Sequence, residues 1–228
     1  MNSVFYKDWV DCRVNQIISI LGKGWFGGKN VLELGACYGD IGMELVRYGA
    51  DVLFTDARQD NLKVISAKYP FANFTPNTLT LDQNYPYNLN RKFDLVIHFG
   101  ALCHVENWKQ DLKCAMDHTP LMFLETIVSP YQGPDGLINT GDRNYMGSPN
   151  GYQSIFTAES VEEVLSSLGC KYLRLDSKEL NTEWSWMGDQ HLIRHVYDWT
   201  TSNIDSYYNE SLKYQQKIHF RRMWLVIK

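Results

Sequence analysis

The stretch from Glu33 to Gly42 has the residue types of a ligand-binding turn. A short apolar run at 30–34 carries an acid near its end, and glycines follow at positions 35 and 39. Because glycine tolerates a positive φ and has no side chain to clash, a ligand can lie directly against such a main chain. The spacing is wider than the Gly-x-Gly-x-x-Gly of dinucleotide sites, and Glu33 would repel a phosphate. The turn therefore favours a ligand with a cationic amino-acid end.

Two further acids end the next predicted strands. Asp56 closes an apolar run about twenty residues after Gly35, where a carboxylate can accept hydrogen bonds from both hydroxyls of a ribose. Asp82 ends the third repeat of the pattern, where a carboxylate can accept from an exocyclic adenine amine. Three acids after successive strands are expected to line one edge of the sheet.

These motifs resemble the class I S-adenosylmethionine-dependent methyltransferase family. The resemblance runs in order from about residue 29 to 124, through the glycine loop, Asp56, Asp82 and the segment at 93–105. It implies S-adenosyl-L-methionine as cofactor, S-adenosyl-L-homocysteine as product, and an α/β fold with a doubly wound Rossmann-like sheet, mainly parallel with an antiparallel last strand. The cofactor contacts that it implies are Glu33, Gly35, Ala36, Cys37, Gly39, Asp56, Ala57, Arg58, Leu81, Asp82, His98 and Phe99.

Three residues are candidates for the chemical step. His104 follows a predicted strand, and a neutral imidazole can take a proton from an alcohol near pH 7; alternatively, it bonds the start of a helix. Glu125 would orient His104 or bind a sugar hydroxyl, or else cap a loop. His195 is a second candidate base, unless it packs a late insertion onto the core. His191 and His195 would share a face on a helix, but no orderly third ligand accompanies them, so we predict no metal site.

Acceptor contacts are expected outside the cofactor-binding core. Tyr145 and Tyr152 fall in a long loop, where aromatic faces stack on sugars and bases alike or hold the loop down. Asp198 lies in the late insertion and Arg222 in the last strand. These regions resemble two methyltransferase subgroups, one acting on sugars of glycans and similar small hydroxylated substrates, the other on wobble uridine in tRNA.

Strands and helices alternate along the chain, which predicts a parallel sheet covered on both faces. Strands are predicted at 30–34, 50–56, 77–81, 93–98, 121–125, 171–175 and 220–227, and helices at 10–21, 41–48, 62–68, 108–116 and 158–165. We predict one domain over 1–228, divided into an N-terminal helix (1–28), a cofactor-binding core (29–126), a lid loop (127–152), a substrate-side insertion (181–216) and a final strand (217–228).

Composition excludes several classes of protein. The 228 residues are 44% hydrophobic with a net charge of -4, which suits a globular chain and disfavours a nucleic-acid partner. No apolar run approaches the roughly 20 residues of a membrane span, and the start lacks a signal-peptide pattern, so a cytoplasmic protein is expected. Five scattered cysteines without zinc spacing predict reduced thiols. The sequence does not indicate an oligomeric state.

The sequence thus predicts a methyltransferase, most simply one that methylates a sugar hydroxyl on a glycan or small molecule. Two alternatives stay open at this point. One is an enzyme that modifies tRNA or another RNA, with aromatic loops that stack a base. The other is a subunit that binds S-adenosylmethionine without catalysis.

Overall fold

The computed structural model describes most of the chain. The described residues are 4–70, 75–78, 87, 89–131, 133–139, 148–180, 182–187, 191–196, 198–200, 205–206, 209 and 220–228, and of 4–6, 75–78, 182–187 and 191–196 the backbone alone. Leu81, Asp82 and Tyr145 lie outside the described residues, and His195 is described only as part of a backbone strand.

The described part of the chain contains eleven strands and five α-helices, numbered in chain order. The strands are β1 (Asn30–Leu34), β2 (Asp51–Asp56), β3 (Thr75–Thr78), β4 (Leu95–Phe99), β5 (Leu121–Val128), β6 (Gly136–Asn139), β7 (Tyr152–Ile155), β8 (Lys171–Arg174), β9 (Thr182–Met187), β10 (His191–Val196) and β11 (Phe220–Ile227). The helices are α1 (Val4–Leu21), α2 (Asp40–Arg47), α3 (Gln59–Lys68), α4 (Trp108–His118) and α5 (Ala158–Ser167). Short 3-10 turns cover Lys23–Phe26 and Leu102–His104.

Seven of these strands form one sheet in the order β3-β2-β1-β4-β5-β11-β8. The first five are parallel, whereas β11 runs antiparallel to both of its neighbours, β5 and β8. The prediction of a doubly wound, mainly parallel sheet with an antiparallel last strand is therefore confirmed. Parallel strands bring their carboxyl ends to one edge, which is where ligands bind in such folds.

Each face of the sheet is covered by its own set of helices. On one face, Leu112 of α4 and Val161 of α5 pack with the strand residues that include Leu32. On the other face, Val14 of α1 packs in a cluster with α2, α3 and the alternate strand residues, which include Val31. Since side chains alternate along a strand, neighbouring residues contribute to opposite cores.

The boundaries of several elements differ from the sequence prediction. The third strand is placed at Thr75–Thr78, a few residues before the predicted 77–81, and α1 begins at Val4 rather than at 10. The segment predicted as a lid loop, 127–152, contains β6 and only the first residue of β7, with which β6 pairs antiparallel; the segment predicted as an insertion, 181–216, contains the antiparallel pair β9 and β10. His191 and His195 therefore lie on a strand, because the segment pairs with β9 instead of coiling into a helix.

Thr157 is the N-cap of α5. Its hydroxyl accepts a hydrogen bond of 3.1 Å from the backbone N–H of Ser160. We expect Thr157→Ala to lower the free energy of unfolding by about 1 kcal/mol, measured by chemical denaturation. The control is Ser167→Ala, at the exposed other end of α5, where a change below about 0.5 kcal/mol is expected. Equal losses in the two variants would show that the cap does not stabilise the helix.

Candidate active site

The loop between β1 and α2 has the backbone shape of a ligand cradle. Gly35, Cys37 and Gly39 all have a positive φ, of 68°, 49° and 70°. A Cβ placed on Gly35 would lie 2.6 Å from the Cβ of Ala101, so no larger residue fits there. Ala36 is buried, and its N–H donates to Thr55 on β2. The loop thus fits a ligand that rests on main-chain atoms, and it lies directly against the turn that follows β4.

Asp56 ends β2 and fixes the loop from the side. One carboxylate oxygen accepts from the backbone N–H of Cys37 at 2.9 Å, and the other from Arg58 N–H at 2.8 Å and from the Asn61 side chain at 3.1 Å. Burial raises the pKa of Asp56, while these donors act in the opposite direction. Two carboxylate oxygens offer about four acceptor positions, so Asp56 retains capacity for a ligand hydroxyl. Ala57, next in the chain, is partly exposed beside it.

Glu33 lies behind the loop on β1. Its buried carboxyl group accepts from the backbone N–H of Gly42 at 3.2 Å, on the first turn of α2. Burial raises its pKa to about 8. Glu33 therefore connects β1 to the first turn of α2 through a backbone contact.

His98 and Phe99, the two residues of β4 predicted to contact the cofactor, face opposite sides of the sheet. Phe99 is buried on the face of α1. His98 is fully buried, and its Nε2 lies 2.6 Å from a carboxylate oxygen of Asp111 on α4. Tyr87 donates to the same carboxylate. Sequence reasoning missed Tyr87 and Asp111, because nothing in the local pattern links positions 87, 98 and 111.

His104 stands at the end of the 3-10 turn that follows β4, where it is partly exposed. Its backbone N–H donates to the carbonyl of Ala101, the residue that packs against Gly35 of the cradle. The adjacent Cys103 thiol is fully buried; burial acts to raise its pKa, but His104 and Arg221 outweigh this and lower it. His104 is thus placed at the sheet edge, beside the cradle.

Glu125 is fully buried on β5, in register with Phe99 of β4. It accepts from Arg13 of α1 at 3.2 Å and from Arg221 of β11 at 3.1 Å. Burial acts to raise its pKa, but the two arginines prevail and lower it, so the group is ionised. Nη1 of Arg221 also lies 3.6 Å from where a Cβ on Gly100 would stand, at the end of β4. Glu125 therefore orients two arginines, and neither was singled out from the sequence.

Arg222 and Asp198, which the sequence predicts as acceptor contacts, form hydrogen bonds with other residues of the protein. The Arg222 guanidinium makes two bonds to Asp176, of 3.0 and 3.1 Å, and stacks over Trp199. Asp198 accepts from the N–H and hydroxyl of Thr200, bonds that lower its pKa. Because side chains alternate along β11, Arg221 shares the face of Glu125 and Arg222 points to the other face. The alternation of side chains along the last strand is the sequence signal that could have identified Arg221 as the arginine on the face of Glu125.

The remaining predicted residue with a described side chain, Tyr152, lies on β7 with 37% of its surface exposed. Among the described residues, no group of three or more histidines, cysteines or acids is arranged to hold a metal ion. None of the helices in this part of the chain is long and apolar enough to cross a bilayer.

A family model described as a methyltransferase domain matches residues 6–175. The chain belongs to this methyltransferase-domain family. Membership confirms the family predicted from the motifs, and S-adenosylmethionine as the cofactor of this methyltransferase. The cradle at Gly35–Gly39 fits the amino-acid end of that cofactor, and Asp56 fits its ribose. A search among curated proteins found no similar sequence.

Solved structures with the same fold bind the same kind of cofactor. The N-terminal domain of EvdMO1, solved in the presence of S-adenosylhomocysteine and D-fucose, is 14% identical with a TM-score of 0.66, over 100% of this chain and 84% of that chain. Magnesium protoporphyrin IX methyltransferase from Synechocystis PCC 6803, with bound S-adenosylhomocysteine, is 14% identical with a TM-score of 0.60, over 100% and 89%. The amino pentose methyltransferase CalS10 from Micromonospora echinaspora, with bound S-adenosylmethionine, is 13% identical with a TM-score of 0.57, over 77% and 92%.

Asp56→Asn is expected to weaken the binding of S-adenosylmethionine at least about tenfold, because the amide replaces one of two acceptor oxygens with a donor. The measurement is isothermal titration of the purified variants. Asp94→Asn is the matched control, since Asp94 lies at the opposite end of the sheet and binds Lys29 and the Asn30 N–H. Unchanged affinity in Asp56→Asn would exclude Asp56 from the cofactor site.

The buried Glu33 predicts a pH dependence of stability. Its pKa rises from 4.5 to about 8 on folding, so its contribution is complete below pH 4.5 and is lost as the pH rises through 8. Glu33→Gln keeps an acceptor for Gly42 and should flatten the decline in the free energy of unfolding between about pH 5 and pH 8. Denaturation at a series of pH values measures this. The control Glu44→Gln, on the surface of α2, should follow the native protein, and an equally steep decline in Glu33→Gln would contradict the prediction.

Proposed function

We propose that this methyltransferase transfers the methyl group of S-adenosylmethionine to a sugar hydroxyl of a glycan or small molecule. The observation that carries the proposal is the contact of Gly35 with Ala101, because it places the His104 turn directly against the cofactor cradle. A partly exposed imidazole at that position suits a base for a hydroxyl acceptor. Two of the similar structures support a sugar: one was solved with D-fucose present and one is an amino pentose methyltransferase.

The side chains around this edge then have distinct tasks. The loop at 35–39 and Asp56 hold the cofactor, which supplies an electrophilic methyl group when bound. Arg221, oriented by Glu125, binds acceptor oxygens close to the end of β4. His104 takes the proton that the hydroxyl loses as its oxygen forms the new bond to carbon. Alignment of the acceptor oxygen with the methyl group is the larger contribution to rate.

The proposal is tested with a panel of free sugars and simple glycosides, D-fucose among them, incubated with the purified protein and S-adenosylmethionine. Formation of S-adenosylhomocysteine and a methylated sugar, found by mass spectrometry, is the expected result. Total tRNA serves as the competing acceptor, and methylation of RNA alone would overturn the sugar assignment. Cofactor binding without turnover on any acceptor would point to a non-catalytic subunit.

His104→Gln is expected to lower kcat by about a hundredfold or more while leaving the affinity for S-adenosylmethionine unchanged, because it keeps hydrogen bonding and removes the base. The pH dependence of kcat/KM should also lose the limb that reports the imidazole. His118→Gln is the control. His118 is the last residue of α4, its ring Nδ1 hydrogen-bonds to the backbone carbonyl of Cys114, and it lies away from the cradle. If His104→Gln has the same kcat as the native protein, another residue is the base, and His195 would be tested first.

A further inference from the structure

The β6–β7 hairpin is fixed to the segment that carries His104. The Ser154 hydroxyl on β7 donates a 2.7 Å hydrogen bond to the carbonyl of Val105, the residue after His104. Asp135, just before β6, pairs with Lys109 of α4 at 3.0 Å. The hairpin is therefore anchored beside the reaction site at two points.

The pairing register shows which hairpin side chains face that site. Leu137 lies directly opposite Ser154, and Tyr152 precedes Ser154 by two residues. Residues opposite each other, or two apart on one strand, share a face, so both point to the side where Ser154 meets Val105. Ile138, opposite Gln153, points to the other side.

Leu137 and Tyr152, called here the hairpin face, are apolar and exposed, and they share this side of the hairpin with the polar residues Asn139 and Ser154. The exposed fractions are 42% for Leu137 and 37% for Tyr152. None of the residues in β6 and β7 carries a charge. Exposed apolar side chains beside a reaction centre are typical of ligand sites, and the lack of charge on these strands favours a neutral apolar group over an anionic one.

We propose that the hairpin face binds an apolar substituent of the acceptor, such as the aglycone of a glycoside, while the sugar hydroxyl lies at His104. The proposal rests on the proposed function and deepens it, because it assigns the acceptor two parts of different polarity. The sugar lies near Arg221 and His104, and the apolar part lies against Leu137 and Tyr152. The natural acceptor is then a glycosylated apolar molecule instead of a free sugar.

The test compares methyl and phenyl β-D-fucopyranoside by isothermal titration in the presence of S-adenosylhomocysteine. The phenyl glycoside should bind the native protein about tenfold more tightly, as burial of one small apolar group gives. Leu137→Asn should remove this advantage. Ile138→Asn, a matched change at 39% exposure on the opposite face, should keep it.

Each other outcome has a defined meaning. Equal affinities of the two glycosides for the native protein, or equal losses in the two variants, would overturn the hairpin face while leaving the sugar acceptor in place. Binding of S-adenosylhomocysteine without binding of either glycoside would overturn this proposal together with the sugar acceptor, and would leave the cofactor site intact. Thermal unfolding of both variants confirms that they are folded.

Discussion

The packing of Gly35 against Ala101 is the constraint on which the site depends. The side chain of Ala101 occupies the space that a Cβ on Gly35 would need, so the β1 loop packs directly against the segment that follows β4. The cradle, with Asp56 bonded to Cys37, lies on one side, and the turn that presents His104 lies on the other. The lack of a side chain at Gly35 thus lets the cradle and the His104 turn lie side by side.

The second constraint is the buried charge of Glu125. Taking a carboxylate out of water is costly, and it persists here because Arg13 and Arg221 bond to it. The two arginines come from a helix on one face and from the antiparallel strand, so one carboxylate connects three elements. Removal of one member of such a buried set typically costs about 3–5 kcal/mol. This buried set of charges therefore holds α1, β5 and β11 together at this edge of the sheet.

Local patterns were enough to predict most strands of the main sheet and the glycine-containing loop after β1. The strands at 30–34 and 220–227 are found at the predicted residues, because apolar runs bounded by turns determine them. Contacts between residues far apart in the sequence could not be predicted from local patterns. Arg13 meets Glu125 across 112 positions, and no periodicity encodes that contact. The strand at 191–196 was missed as well, since it is defined by its pairing with β9 rather than by its own residues.

The two adjacent arginines of β11 also determine the register of that strand in the sheet. Arg221 meets Glu125 on one face of the sheet, while Arg222 meets Asp176 on the other. A slip of one residue would reverse both faces and place each guanidinium away from its acid, among apolar side chains. Two ion pairs, one on each face of the sheet, thus fix the register of β11. Because β11 lies between β5 and β8, its register also determines where β8 pairs at the end of the sheet.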